Sequence, residues 1–166
     1  MEIFANITGY PNYQISNHGN VKVIKTQKVL KPSLQHGYCY VKLSSNVGNL
    51  ATTIHVLVAT AFIPKIDGSE FVDHIDHDRT NNHTNNLRWV TRQENCCNRT
   101  KQSSRTSSQY KGVCFRSDRN RWVAEITANG KKKHIGYFAN EIDAGKAYNE
   151  KAIELHGEYA SLNVFD

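Results

Sequence analysis

A carboxylate beside an imidazole, followed along the chain by carboxamides, is a set of side chains that can hold a divalent ion and move a proton. The run EFVDHIDHDRTNNHTNNLRWVTRQEN supplies such a set in Asp73, His74, Asn86 and Asn95. Asp73 and His74 fall near the end of an expected strand, Phe71 to Ile75. Asn95 falls in the first turn of a helix that follows a second strand, Leu87 to Val90, so folding the hairpin back onto the helix brings the groups together. Oxygens from Asp73 and Asn95 suit one hard divalent ion, magnesium first and manganese as a substitute, and leave positions open for a phosphate oxygen and a leaving 3′ oxygen. His74, unligated, titrates near about 6.5 and can take the proton of an attacking water. Asn86 can bond the other imidazole nitrogen, fixing its tautomer, or satisfy the loop backbone.

The elements that must position these groups are marked around them. Thr91 with Glu94 three residues on forms a capping box for the helix that carries Asn95. Upstream, ATTIHVLVATAFIP repeats Ile54, Leu57, Val58, Ala61 and Phe62 at helical spacing, with Thr52 or Thr53 able to cap its start and Pro64 to end it. His55 on that helix reads as a hydrogen-bonded core histidine. The stretch from Ile7 to Ser44 alternates apolar and polar residues in short runs broken by Pro11, Asn17 to Asn20, Pro32 and Gly37, the pattern of a small β-rich module. TKQSSRTSSQ has neither periodicity nor bulk and reads as a flexible basic linker.

Beyond the linker, YKGVCFR, NRWVAEITA and KKHIGYF each suit a strand, and Asn129-Gly130 supplies a hairpin turn between the second and third. Asn140 with Asp143 caps a helix to about Leu155 that Gly157 ends, with Ala144, Ala147, Tyr148, Ala152 and Leu155 on its inner face. Trp89 and Trp122 read as packing residues. The fold class is α+β, in four parts: a β-rich module over 1–50, a ββα core over 51–100, the linker over 101–108, and a three-stranded antiparallel sheet on one helix over 109–166.

Charge is distributed to match. The chain of 166 residues carries +6 at pH 7. Residues 1–87 are near balance, with seven Lys or Arg against six acids, whereas 88–108 hold Arg88, Arg92, Arg99, Lys101 and Arg105 against Glu94 alone. Residues 109–138 hold seven basic groups against two acids, and 139–166 reverse this with two against six. A basic sheet backed by an acidic helix is the split expected when only one face meets phosphate and releases its counterions. The hydrophobic fraction of 39 % and charged fraction of 22 % are those of globular chains, and no run approaches the roughly 18 apolar residues of a membrane span. MEIFANITGY lacks a basic start before an apolar stretch, so no secretory signal is expected, and bacterial or virus-infected cytoplasm is the default setting. Cys39, Cys96, Cys97 and Cys114 show no paired spacing and read as free thiols.

The segment DHIDHDRTNNHTNNLRWVTRQEN, with IHVLVATAFIP before it, resembles the ββα-metal motif of HNH homing endonucleases of the phage and intron type. The resemblance implies a DNA endonuclease in which Asp73 and Asn95 hold the metal, His74 is the general base and Asn86 is the central asparagine of the motif, with Asn95 standing where many relatives have a final histidine. His77 departs from the pattern, which usually has glycine there. ITGYPNYQISNHGNVK resembles the NUMOD-type module that opens the same nucleases. YKGV, RWVAEI, HIGYF and AYNEKAIELHGEYASLN resemble the APETALA and ethylene-response DNA-binding domain, which lays its sheet in the major groove. That likeness implies duplex-DNA contacts at Lys111, Arg116, Arg121, Glu125, Lys132 and His134. Arg119 and Lys131 join them as phosphate contacts beside the basic hairpin, and Arg88, Arg92, Arg99 and Lys101 as the basic bridge. Cys114 and Thr127 replace common arginines and His134 a common tryptophan, so base preference does not transfer.

The expected function is site-directed cleavage of duplex DNA, with a nick as the product of one active site. Two rivals remain at this level. One is a non-cleaving DNA-binding regulator or recombination accessory protein using the C-terminal sheet. The other is RNA binding through that sheet, for which there is no stacking signature. A zinc site from His74, His77 and His83 lacks a clear fourth ligand, and Asn81, Asn82 and Asn85 read as loop-backbone partners.

Overall fold

A computed structural model of the chain describes residues 1–46, 48–99, 101 and 107–165. It divides into two compact units, Met1–Arg92 and Gln93–Asp166.

The first unit opens with two antiparallel meanders. One is β1 (Phe4–Ile7), β2 (Tyr10–Ser16) and β3 (Val21–Val23), and the other is β4 (Ser33–Gln35), β5 (Tyr38–Ser45) and β6 (Gly48–Thr53), each with its middle strand at the centre. The period of two is visible in β5, where Cys39, Val41 and Leu43 are buried between half-buried or exposed neighbours. These residues pack with Ile7, Ile15 and Val21 of the first meander, with Ile54, Leu57 and Val58 of α1 (Ile54–Phe62), and with Leu87. The N-terminal strands therefore share one core with the segment that follows. Each fully buried aliphatic side chain in it contributes about 1.5–3 kcal/mol relative to exposure.

Helix α1 follows β6 without a loop. Thr53 occupies its N-cap position in extended conformation, but its side chain makes no capping hydrogen bond. Its pairing with Tyr40 across β5 and β6 fixes the entry instead. The helix ends at Phe62, one turn being closed by the Ile63 N–H on the Ala59 carbonyl, ahead of Pro64. Its buried residues are Ile54, His55, Leu57, Val58 and Ala59, so Ala59 takes the inward place expected for Ala61, which is exposed.

A hairpin completes the unit. β7 (Phe71–His74) pairs antiparallel with β8 (Leu87–Val90), Asp73 opposite Arg88 and His74 opposite Leu87. Ile75 lies just past the strand, although its N–H still bonds the Asn86 carbonyl at 2.9 Å. A single 3-10 turn, Thr84–Asn86, leads into β8. Helix α2 (Arg92–Cys97) starts directly after Thr91, where the capping box places it.

The second unit is a sheet of β9 (Val113–Arg116), β10 (Arg121–Ala128) and β11 (Lys131–Phe138), with β10 central, backed by α3 (Glu141–His156). Asn129 and Gly130 both take positive φ, 54° and 71°, as a two-residue turn matched to strand twist requires. The Asn140 side chain accepts from the Asp143 N–H at 2.8 Å at the start of α3, and Gly157 closes its end. Ala144, Gly145, Tyr148 and Ala152 face the sheet, where Trp122, Ala124 and Ile126 meet them; Ala147 is only half-buried. Trp122 meets Phe115 edge-on at 5.1 Å, and Trp89 donates to the Ile63 carbonyl at 3.1 Å, so both indoles pack. Residues 102–106 of the expected linker lie outside the described residues, while Ser107 and Ser108 bond the Phe115 N–H and the Glu141 carboxylate. All four cysteines are free thiols. Among the described residues no helix is long and apolar enough to cross a membrane.

Candidate functional site

Asp73 and His74 end β7, and both are buried, at 9 % and 5 % exposure. Strand pairing puts Arg88 across from Asp73, and its Nε and Nη2 donate to Asp73 Oδ2 at 3.2 and 3.1 Å. The charge of a buried carboxylate is thereby met at short range. Nε2 of His74 lies 3.3 Å from Oδ1 of Asn82. Its ring meets His55 edge-on at 4.9 Å and Tyr38 at 6.1 Å, so neighbours on α1 and β5 restrict its rotation. Burial pushes the His74 imidazole below its ordinary value, and the Asn82 hydrogen bond and the Asp73, Asp76 and Asp78 carboxylates oppose that only in part. The side chain is therefore neutral, and able to accept a proton, at neutral pH.

Between the two strands the loop is held by its own side chains. Asn86 Oδ1 accepts from the Asp76 N–H at 3.0 Å, while its Nδ2 donates to Asp76 Oδ1 at 2.8 Å and to the Asn81 carbonyl at 2.9 Å. Of the two roles open to Asn86, the structure shows backbone support, and His74 Nε2 instead meets Asn82, a residue assigned by sequence to the loop alone. Asn81 Nδ2 donates to Asp76 Oδ2 at 2.7 Å, and Asp78 Oδ1 accepts from the Thr80 N–H and hydroxyl at 2.8 and 2.7 Å. Burial pushes the Asp76 carboxyl up, but hydrogen bonds from Asn81, Asn86 and the Asp78 backbone outweigh it and hold the group below its usual range. His77, at the position where the family pattern has glycine, takes φ 65°. The left-handed turn is thus kept, at a cost on the order of 1 kcal/mol for a residue with a Cβ. His55 is buried, but its Nδ1 has no hydrogen-bond partner among the described residues, so the expectation of a hydrogen-bonded core histidine is not met at that atom.

Asn95 sits on α2, a helix with no buried residue, and belongs to the second unit. There α2 is fastened by Gln93 Nε2 to Asn129 Oδ1 at 2.8 Å, by Cys97 Sγ against His156 Nδ1 at 3.3 Å, and by Lys111 Nζ to the Cys97 carbonyl at 2.7 Å. An ammonium at the last carbonyls of a helix also complements the helix dipole. The Asp73 carboxylate in the first unit and the Asn95 carboxamide in the second are each hard-oxygen donors of the kind a magnesium-type ion takes. Among the described residues no three or more His, Cys, Asp or Glu gather to hold a metal.

The basic residues separate into two groups. On β10, Trp122, Ala124 and Ile126 point to α3, so Arg121 and Glu125 face away from it. By pairing, Arg116, His134 and Lys132 share that outer face. Glu125 and Lys132 form an ion pair at 2.5 Å, and Arg119 lies over the exposed Tyr137 ring at 4.8 Å. Lys131 is exposed at the hairpin tip, and Arg92 and Arg99 are exposed as well. In contrast, Arg88 is engaged by Asp73, and Lys111 by Cys97. Lys101 donates to the Ser108 and Tyr110 carbonyls at 2.6 and 2.8 Å. The structure thus turns inward three cations placed on DNA from the sequence, Arg88 and Lys101 by charge counting and Lys111 by the family likeness. Their partners are a buried carboxylate and backbone carbonyls, which sequence spacing does not display.

Residues 53–96 match the HNH endonuclease family model, and residues 2–44 match the NUMOD4 motif. The chain thus carries an HNH endonuclease domain and a NUMOD4 motif, and HNH endonucleases generally use a divalent metal. It is 39 % identical over 114 residues to an uncharacterised HNH endonuclease, L560, of Acanthamoeba polyphaga mimivirus, a match covering 68 % of this chain and 58 % of the relative. It is 37 % identical over 94 residues to DNA endonuclease I-HmuI of Bacillus phage SP01, covering 55 % of this chain and 54 % of that protein. The solved structure described as DNA binding and cleavage by the HNH homing endonuclease I-HmuI aligns with a TM-score of 0.52 at 37 % identity, over 57 % of this chain and 55 % of that one. A stretch of 57 residues is 39 % identical to APETALA2-like protein 2 of Oryza sativa, a weak and partial likeness covering 34 % of this chain and 13 % of the relative. The chain thus spans less than two thirds of the length of each of these relatives.

Proposed function

We propose that the chain is a site-directed HNH endonuclease that hydrolyses one phosphodiester of duplex DNA and leaves a nick. The observation that carries this reading is the buried Asp73 and His74 pair, set beside a loop locked by Asn81 and Asn86 inside the family-matched span. One divalent ion, magnesium with manganese as a substitute, bound by Asp73 and Asn95 would neutralise charge developing on the phosphate. His74 takes a proton from water as the water oxygen bonds to phosphorus and the bond from phosphorus to the 3′ oxygen breaks. Arg88 holds the Asp73 carboxylate in place, and Asn86 holds the loop. Arg116, Arg121, Glu125, Lys132 and His134 on the outer sheet face, with Arg119 and Lys131, take up DNA backbone and groove edges, and Arg92 and Arg99 add phosphate contacts. Phage and giant-virus relatives support action inside an infected cell.

The test is relaxation of supercoiled plasmid bearing the target with magnesium present. The natural chain yields nicked circles, and His74→Ala binds equally well and nicks at least about 100-fold more slowly, as loss of a general base requires. Binding without metal-dependent relaxation by the natural chain supports the rival reading, a regulator that grips DNA through its C-terminal sheet.

A further inference from the structure

We infer that Asn82 is a positioning residue for His74, selecting the tautomer with hydrogen on Nε2 and the lone pair on Nδ1, and that the turn between β2 and β3 holds Asn82 in place. The inference rests on His74 being the base.

The orientation of the Asn82 amide is settled by its surroundings. Its Nδ2 donates to the Thr80 carbonyl at 2.9 Å, which leaves Oδ1 as the atom facing His74 Nε2 at 3.3 Å. A carboxamide oxygen only accepts, so the contact is a hydrogen bond only when Nε2 carries hydrogen. Neutral imidazole has one N–H, and Nδ1 is then the basic atom. With Asn82 only 6 % exposed, water cannot readily replace this bond.

Asn82 is backed by a segment remote in sequence. Gly19 takes φ +88°, and a Cβ there would lie 2.9 Å from the Asn82 Cβ and 3.2 Å from Ile54 Cγ2, so the turn lies directly against Asn82. The Thr84 N–H bonds the Asn17 carbonyl at 3.0 Å, and the His18 and His83 rings meet at 4.7 Å. Ser16, fully buried, accepts from the His18 and Asn20 N–H groups and so fixes the turn itself. A module expected only to touch DNA thereby also supports the imidazole.

The experiment is two-bond proton–nitrogen correlation on the full chain labelled at histidine nitrogens, with nicking kinetics of the same samples. The natural chain should show His74 as the Nε2–H tautomer. Asn82→Ala should give a tautomer mixture and a kcat lowered by about tenfold or more, within the roughly 10²–10⁴-fold that a general base supplies, at unchanged KM for DNA. Asn82→Asp, which keeps the acceptor facing His74 but loses the donor to the Thr80 carbonyl, should restore the Nε2–H tautomer and recover kcat in part. A natural chain protonated at Nδ1, or a folded Asn82→Ala protein with unaltered tautomer and kcat, overturns the inference. Undiminished nicking by His74→Ala instead overturns the base assignment and leaves the spectrum to judge Asn82 separately.

Discussion

The segment from β7 to β8 and helix α2 carry the two halves of the proposed metal site, and they are built in opposite ways. Asp73 and His74 end strand β7 and Asn86 closes the loop that follows, and all three are buried. The loop side chains hydrogen-bond one another, and Val72 and Leu87 of the flanking strands pack on a shared core. Asn95 rides on a six-residue helix without a buried side chain, held by a few polar contacts to residues of the second unit. Helices of that length are not stable in isolation. The difference teaches that a buried carboxylate and imidazole need a rigid, hydrogen-bonded setting, whereas a neutral carboxamide can be carried on a lightly anchored element.

Substitutions can break this contrast, the largest effect first. Asp73→Ala removes a proposed ligand and leaves the half-buried Arg88 without that carboxylate. Plasmid assays should show nicking lost by at least about 1,000-fold, and thermal denaturation a cost of about 3–5 kcal/mol. Asn95→Ala should abolish nicking as severely while leaving the melting temperature within a degree or two, because nothing buried is disturbed. Equal destabilisation by both would erase the distinction. Asn86→Ala strips the loop of three hydrogen bonds and should cost about 2–4 kcal/mol in denaturant unfolding.

Acid sharpens the same contrast. Burial, and then the neighbouring His74, hold the His55 imidazole down at about 4, below its ordinary 6.5. With the folded-state value depressed, the stabilisation is complete above 6.5 and is lost as pH falls toward about 4, to a total on the order of 2–3 kcal/mol. Urea titrations between pH 7 and 4 should show that loss, and His55→Phe should flatten it. His74, also lowered by burial, should place the acid limb of the nicking rate below 6.5. The smallest effect is expected at His77→Gly, which relieves a left-handed φ and should raise stability by about 0.5–1 kcal/mol in the same titrations.

Much of this was legible in the sequence where a local rule decides. The Asn129-Gly130 hairpin, the Asn140 cap, the β7 to β8 pairing and the start of α2 are each set by a few adjacent residues. What escaped depends on contacts between distant residues. Arg88, Lys101 and Lys111 look alike in a charge count, and only the fold reveals which oxygens they face. Asn82 is indistinguishable in type from Asn81 until the strand places His74 against it. The common core of the N-terminal meanders and α1 was hidden as well, because period-two patterns show which face is buried but not what buries it.

The anchoring of α2 by Asn129, Lys111 and His156 has a consequence for how such genes can be recombined. A crossover in the serine-rich stretch after Lys101 would hand the nuclease a foreign tail lacking the matching amide, amine and imidazole, and its terminal turn would unravel. Viable chimaeras should therefore be joined upstream of Thr91, with the short helix inherited from the tail it was fitted to.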